Sequence, residues 1–205
     1  MSLMFWISIL GEIIIFPLYI WSLEHQMLRK KFGKSKGERI GDILGLISGW
    51  GYFLFMFGIW LAPQPRFSIP LFSEISLMLP VVNLNTPIIH VLIFLPIIVV
   101  VLWFSFMGVK EVTFKVAETH RPERVISTGV YRRVRHPQYM GALLAHFAIS
   151  VLLSALYSFL LTPLMFIYLY IIARKEEKEL IREFGSDYEE YRAKVPMLLP
   201  KISLR

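Results

Sequence analysis

Apolar residues run almost unbroken through four windows of the chain, roughly 3–23, 43–62, 87–108 and 138–173. The first three each approach the ~20 residues a helix needs to cross a bilayer. The fourth is too long for one crossing and divides at Ser154–Ser158, giving two helices back to back. The pattern therefore predicts an all-α integral membrane protein of about five transmembrane helices, the last two forming a helical hairpin. Between the second and third windows, Pro63, Pro65, Pro70 and Pro80 punctuate residues 63–86, which predicts an irregular interfacial loop. In the polar connection that follows the third window, the alternation VTFKV predicts a short extended piece carrying Phe114 and Val116. Past the fourth window, ARKEEKELIREFGSDYEEYRAKV predicts a charged amphipathic helix under the membrane, with Leu180, Ile181 and Phe184 on one side. That helix is interrupted at Gly185 and resumes with Ser186 or Asp187 as its cap, and VPMLLPKI closes it as an extended tail. No internal repeat or low-complexity tract divides the chain. The expectation is one membrane domain, 1–205, with three spans in 1–108 and the polar chemistry in 109–205.

Composition supports this reading: 56% of the residues are hydrophobic and the mean hydropathy is +0.58. The N-terminal window lacks a basic leader and a small-residue cleavage site, so it reads as a retained first span. Cysteine is absent, which excludes disulfides, thiolate metal sites and a cysteine nucleophile. The net charge of +7 has no nucleic-acid motif behind it. Of the 22 lysines and arginines, all but Arg66 fall in segments 24–42, 109–137 and 174–205, on one side of a five-span topology. The positive-inside rule makes that side cytoplasmic and places the N-terminus outside.

The chemistry concentrates in GVYRRVRHPQYMG, residues 129–141, just before the fourth span, and in Glu176-Glu177 just after the fifth. A helical hairpin brings the two together as a polar pocket at the membrane boundary. Arg135, His136, Tyr131 and Tyr139 come from one side of it and the carboxylates from the other, with Pro137 in a first helical turn where its missing N–H costs nothing. Carboxylates suit an ammonium or ribose hydroxyls, His136 and backbone N–H groups suit a carboxylate, and tyrosine faces suit a sulfonium or an adenine. S-adenosylmethionine combines all of these. The plainer reading of the same residues makes Arg132, Arg133 and Arg135 membrane anchors and the tyrosines an interfacial belt.

The 129–141 stretch, the hairpin, the Glu-Glu pair, a following F-G-x-x-Y-x-x-Y and the V-P-x-x-L-P near the end together resemble the isoprenylcysteine carboxyl methyltransferase family, with its G-x-Y-x-x-x-R-H-P-x-Y-x-G signature. The resemblance covers about residues 125–202. It implies an integral membrane methyltransferase using S-adenosylmethionine, with a lipid-like or prenylated acceptor reached through the surrounding membrane lipids. The absence of a glycine-rich strand-turn-helix fingerprint agrees with the family's non-Rossmann cofactor pocket. Carried over residue by residue, Gly129, Tyr131, His136, Pro137, Tyr139, Glu176 and Glu177 would line the cofactor site, and His136, Arg174 and Glu176 would serve catalysis. The chemistry would be in-line methyl transfer, with isoprenylcysteine-type carboxylate O-methylation first and phospholipid-amine or small-thiol methylation behind it. One departure matters. The family arginine about one turn before the Glu pair is replaced here by Ile172, and Arg174 lies two residues, roughly 200°, away around the helix. Membrane sterol and steroid reductases, which bind NADPH, share part of the motif, but their acidic residue after Y-x-G is Ala142 here. A non-catalytic adaptor keeping the fold is the third alternative.

Other residues weigh less. Glu12 sits mid-span and is a functional candidate by its position alone. His146 is placed either along an acceptor tunnel or in helix packing. His90 is expected at the outer interface, and His25 and His120 in loops. Ser127 and Thr128 suit a turn or a ligand contact, while Gly11, Gly45, Gly49 and Gly51 suit close helix packing. No metal-ligand spacing is present, so no metal is expected.

Overall fold

The structure, a computed structural model, describes residues 2–72, 74–119 and 124–200, and only the backbone for 112–119. His120 lies outside the described residues, as does the end of the expected tail from Lys201 onward.

The fold is mostly helical, as the hydropathy pattern requires. Helix α1 (Leu3–Ser22) starts where the Ser2 hydroxyl accepts the Phe5 N–H at 3.3 Å. A short basic helix α2 (His25–Phe32) leads through Gly33 into α3 (Lys34–Leu61). Helices α1 and α3 lie close together: a Cβ on Gly11 would meet the Phe55 ring at 2.3 Å, and one on Gly51 would meet Ile15 at 2.5 Å. Gly49 differs, since a Cβ there meets nothing within 4 Å. Helix α4 (Ile88–Thr119) packs along α5 (Pro137–Leu152). Together α1, α3 and the first part of α4, Ile88–Glu111, are long and apolar enough to cross a membrane. Their outward residues are large and apolar, among them Trp6, Leu10, Trp50, Leu54, Leu102 and Phe106, as lipid contact demands. The molecule is an integral membrane protein.

Three expectations change. The VTFKV stretch is helical, because α4 runs on to Thr119 and a continuing helix overrides weak strand propensity. The division at residue 108 consequently falls inside α4. The segment between α3 and α4 is not merely irregular: β1 (Ser76–Leu79) and β2 (Leu84–Pro87) form an antiparallel hairpin. Tertiary contacts order this segment. Arg66 Nη1 donates to the Leu153 carbonyl at 2.6 Å, Phe67 N–H to the Ser154 carbonyl at 3.1 Å, and the Thr86 hydroxyl to the Leu152 carbonyl at 3.0 Å. His90 is fully buried rather than interfacial, for the same reason: it contacts the Ser154 hydroxyl at 2.9 Å and accepts the Ile69 N–H at 3.2 Å.

The chain breaks after α5 at Ser154, then makes the short α6 (Leu156–Leu160) before α7 (Thr162–Phe184), which has proline in its first turn. Gly185, at φ 55°, ends α7 and Ser186 opens α8 (Ser186–Lys194), with Asp187 and Glu189 in its first turn and Arg192 and Lys194 in its last. No side chain caps α8; Gly185 is its N-cap residue. The core lies where α1, α3, α5 and α7 meet, around Tyr19, Met56, Trp60, Tyr139, Leu169 and Ile172.

Candidate active site at the ends of α5 and α7

Local backbone geometry sets up the site. Residues 129–132 form one turn of 3₁₀ helix in front of α5. Gly129 stands at φ 54°, which favours glycine, and a Cβ there would meet Glu111 Oε1 at 2.2 Å and displace that side chain. Glu111 also accepts the Thr128 hydroxyl at 2.6 Å, which ties this turn to α4. Thr128 thus serves the turn. Pro137 opens α5, and His136 precedes it as the N-cap. The tail then crosses the same place: the N–H groups of Arg135 and His136 donate to the carbonyls of Pro196 and Met197 at 2.9 and 3.0 Å.

The side chains converge from both helices. Arg135 Nε donates to Glu177 Oε1 at 2.6 Å, and Arg135 Nη1 also reaches the carbonyls of Arg192 and Val195. His136 Nε2 lies 3.2 Å from that same Glu177 oxygen, and its Nδ1 lies 3.4 Å from Glu176 Oε2. Both ring nitrogens face carboxylates, the arrangement of a doubly protonated imidazolium. Tyr139 stacks on His136 with ring centroids 5.3 Å apart and donates its hydroxyl to Glu176 Oε2 at 2.9 Å. Tyr191 donates to the Tyr131 carbonyl at 2.7 Å, joining α8 to the turn.

Burial opposes a charge on His136, but the hydrogen bonds and proximity of Glu176 and Glu177 outweigh it and push its pKa up to about 9. Burial likewise works against a charged Glu177, and the bonds from His136 and Arg135 overcome it, holding this carboxyl below its ordinary value. One oxygen of Glu177 is therefore heavily engaged. The other, Oε2, is buried and has no hydrogen-bond partner.

Two spaces open from this cluster. The first is polar and small, about 40 Å³, lined by Tyr131, Arg135, His136, Pro137, Tyr139 and Glu176 together with Gln138. The second is an apolar cavity of about 240 Å³ between α1, α3, α5 and α7, whose wall includes Tyr19, Gly49, Tyr52, Tyr168 and Ile172. Gln138 and Tyr139 belong to both walls. Among the described residues, no lysine or arginine lines the apolar cavity.

Of the residues expected from sequence, Tyr131, His136, Pro137, Tyr139, Glu176 and Glu177 come together. Gly129 supports the turn and lines neither space. Arg174 is not brought in: it is exposed, while Ile172 is buried in the cavity wall, as the 200° between them requires. His146 is engaged in packing, accepting from Trp60 Nε1 at 3.1 Å and facing the Ser158 carbonyl at 2.9 Å. His25 is buried at the start of α2 rather than in a loop. Glu12 lies away from the polar pocket, near Tyr52 and Tyr168, with a buried Oε1 lacking a partner. Gln138 escapes sequence reasoning, since its slot in the motif carries no chemical signal. Arg135 admits two readings from sequence, pocket or anchor. Its 2.6 Å pairing with a buried carboxylate decides for the pocket and separates it from exposed Arg132 and Arg133. Among the described residues, no group of three metal-ligating side chains is present.

Comparison with known proteins agrees with this geometry. The phospholipid methyltransferase family model matches residues 87–187, from the end of β2 to the start of α8. Residues 87–187 thus match a phospholipid methyltransferase-type domain. Methanethiol S-methyltransferase 2 of Bradyrhizobium diazoefficiens is 38% identical over 76 residues, covering 37% of this chain and 29% of that protein. Methanethiol S-methyltransferase of Pseudomonas deceptionensis is 35% identical over 104 residues, 48% and 37% of the two chains. Protein-S-isoprenylcysteine O-methyltransferase of Schizosaccharomyces pombe is 33% identical over 88 residues, 42% and 37%. The match spans only about a third of each relative's length. The matched region includes Tyr131, Arg135, His136, Tyr139, Glu176 and Glu177, while Tyr191 lies beyond it.

Proposed function

We propose that the protein transfers a methyl group from S-adenosylmethionine to an acceptor dissolved in the membrane. The observation that carries this reading is a buried carboxylate-histidine-arginine cluster meeting a lipid-level apolar cavity at Gln138 and Tyr139. The cofactor supplies a methyl group on a positively charged sulfur. The chain's residues fit it chemically: the partnerless Glu177 Oε2 is an acceptor for an ammonium or hydroxyl, and the cationic His136 and Arg135 set positive charge beside it. Tyr131 and Tyr139 offer aromatic faces. Space for one or two waters is smaller than the nucleoside, so loading shifts the Val195–Leu198 strap paired with Arg135 and His136 beside the pocket.

The residues' work is alignment and exclusion of water. His136, held protonated at neutral pH, orients rather than accepts a proton, which leaves Glu176 as the nearest base for an acceptor that must lose one. For the acceptor, the cation-free cavity and the outward Arg174 favour a small thiol over the carboxylate of a prenylated cysteine. The α5 and α7 crossings complete a five-span topology, with the N-terminus outside and the site cytoplasmic. Supporting this orientation, basic segments 24–42 and 174–205 meet on one side, where Glu24 pairs with Lys175 and Arg29 Nη1 lies 4.0 Å from Glu183.

The test is methyl transfer from labelled S-adenosylmethionine by the purified protein in nanodiscs. Hexanethiol, N-acetyl-S-farnesylcysteine and phosphatidylethanolamine are offered in parallel. The reading predicts highest turnover with the thiol. Preference for the farnesylcysteine would restore the carboxylate acceptor, and no transfer to any of them would remove the activity.

A further inference from the structure

We infer that Gln138 is the acceptor-positioning residue: its side-chain amide N–H donates to the atom about to receive the methyl group. This rests on the methyl-transfer reading above and adds a residue the motif leaves open.

Four observations lead there. Gln138 lines both the polar pocket and the apolar cavity, a place it shares with Tyr139. The Tyr139 hydroxyl is committed to Glu176 at 2.9 Å, whereas Gln138 Nε2 is buried and has no hydrogen-bond partner. A buried donor left unpaired costs stability, and a ligand atom at this junction would complete it. The stem lies beside α4: Gln138 Cγ is 3.5 Å from where a Cβ on Gly108 would stand. One turn further along α5, Ala142 is a small residue on the same cavity wall and leaves room beside the amide.

The chemistry follows from the donor. An amide N–H stabilises a lone pair on sulfur or oxygen without the charge an arginine would bring, and it repels an ammonium. A neutral donor suits a thiolate, a diffuse anion that must stay nucleophilic. It holds that atom at the junction where the two spaces meet.

The experiment uses the full chain in nanodiscs with the variants Gln138→Leu, Gln138→Asn and Gln138→Glu. S-adenosylhomocysteine affinity is measured by calorimetry, and KM and kcat are measured with hexanethiol and with phosphatidylethanolamine. Gln138→Leu is expected to bind S-adenosylhomocysteine within about twofold of the parent while its thiol KM rises about tenfold, the worth of one hydrogen bond. Gln138→Asn recovers part of that loss. Gln138→Glu, which replaces a donor by an acceptor, loses the thiol more severely and gains relative activity toward the amine. Unchanged thiol kinetics in Gln138→Leu overturn the inference. So does a loss of S-adenosylhomocysteine affinity with acceptor KM intact, which would assign Gln138 to the cofactor. If the parent protein neither binds S-adenosylhomocysteine nor methylates either probe, the function proposed above has failed and this inference falls with it.

Discussion

Glu177 concentrates the site's electrostatics in one side chain: Arg135 and His136 share its Oε1, and its buried Oε2 has no hydrogen-bond partner. Glu177→Gln keeps the shape and removes the charge. S-adenosylhomocysteine affinity should fall at least tenfold, about 1.4 kcal/mol, while the protein still elutes as a folded species. Unaltered affinity by calorimetry would take the acidic pair out of the site. Arg135 and its exposed neighbour separate anchor from site. Arg135→Ala strips a buried carboxylate of the nearer of its two partners and should cost about 3 kcal/mol of stability, whereas Arg132→Ala should leave turnover nearly unchanged. A complete loss of turnover in Arg132→Ala would erase that distinction. His136 gives a pH signature. Its folded pKa of about 9 lies above its unfolded value of roughly 6.5, so its contribution to stability is full below pH ~6.5 and is lost as pH rises through 9. The thermal midpoint should decline between pH ~7 and ~10 in the parent and more shallowly in His136→Gln; parallel declines would contradict the charged histidine.

At the scale of elements, the residues that make the polar cluster were legible because their chemistry is local. Arginine-histidine-proline before an apolar run, and paired glutamates after one, place themselves at the ends of helices. The α3–α4 connection was not legible. Its proline spacing reads as loop, and its order comes from Leu152, Leu153 and Ser154, distant in sequence. The burial of His90 has the same cause, its partner Ser154 lying 64 residues further along the chain. Gln138 was invisible because its meaning arises from two spaces meeting, which no spacing records. The strap at 195–198 yields its own prediction. Its backbone pairs with Arg135 and His136, whose side chains line the small pocket, so S-adenosylhomocysteine should change hydrogen exchange of Met197 and Leu198 more than that of α3. Equal change in both would mean that the ligand enters elsewhere.

At the scale of the whole molecule, the hydropathy windows located the apolar helices closely, since lipid contact constrains every residue of a span. Orientation rests on the basic segments and their pairing on one side. The chain has no cysteine, so single cysteines report accessibility without background. Ser35 near the start of α3 and Ser186 at the start of α8 are both exposed. Ser35→Cys and Ser186→Cys should both be labelled by an impermeant maleimide only from the cytoplasmic face, and labelling of the two from opposite faces would break the proposed topology. The central claim is that the α5–α7 cluster is a pocket for S-adenosylmethionine. Its most direct test is calorimetric titration of the detergent-purified protein with S-adenosylhomocysteine and, separately, with NADPH. The account predicts saturable binding of S-adenosylhomocysteine and none of NADPH; binding of NADPH alone would move the pocket to reductase chemistry and contradict the account.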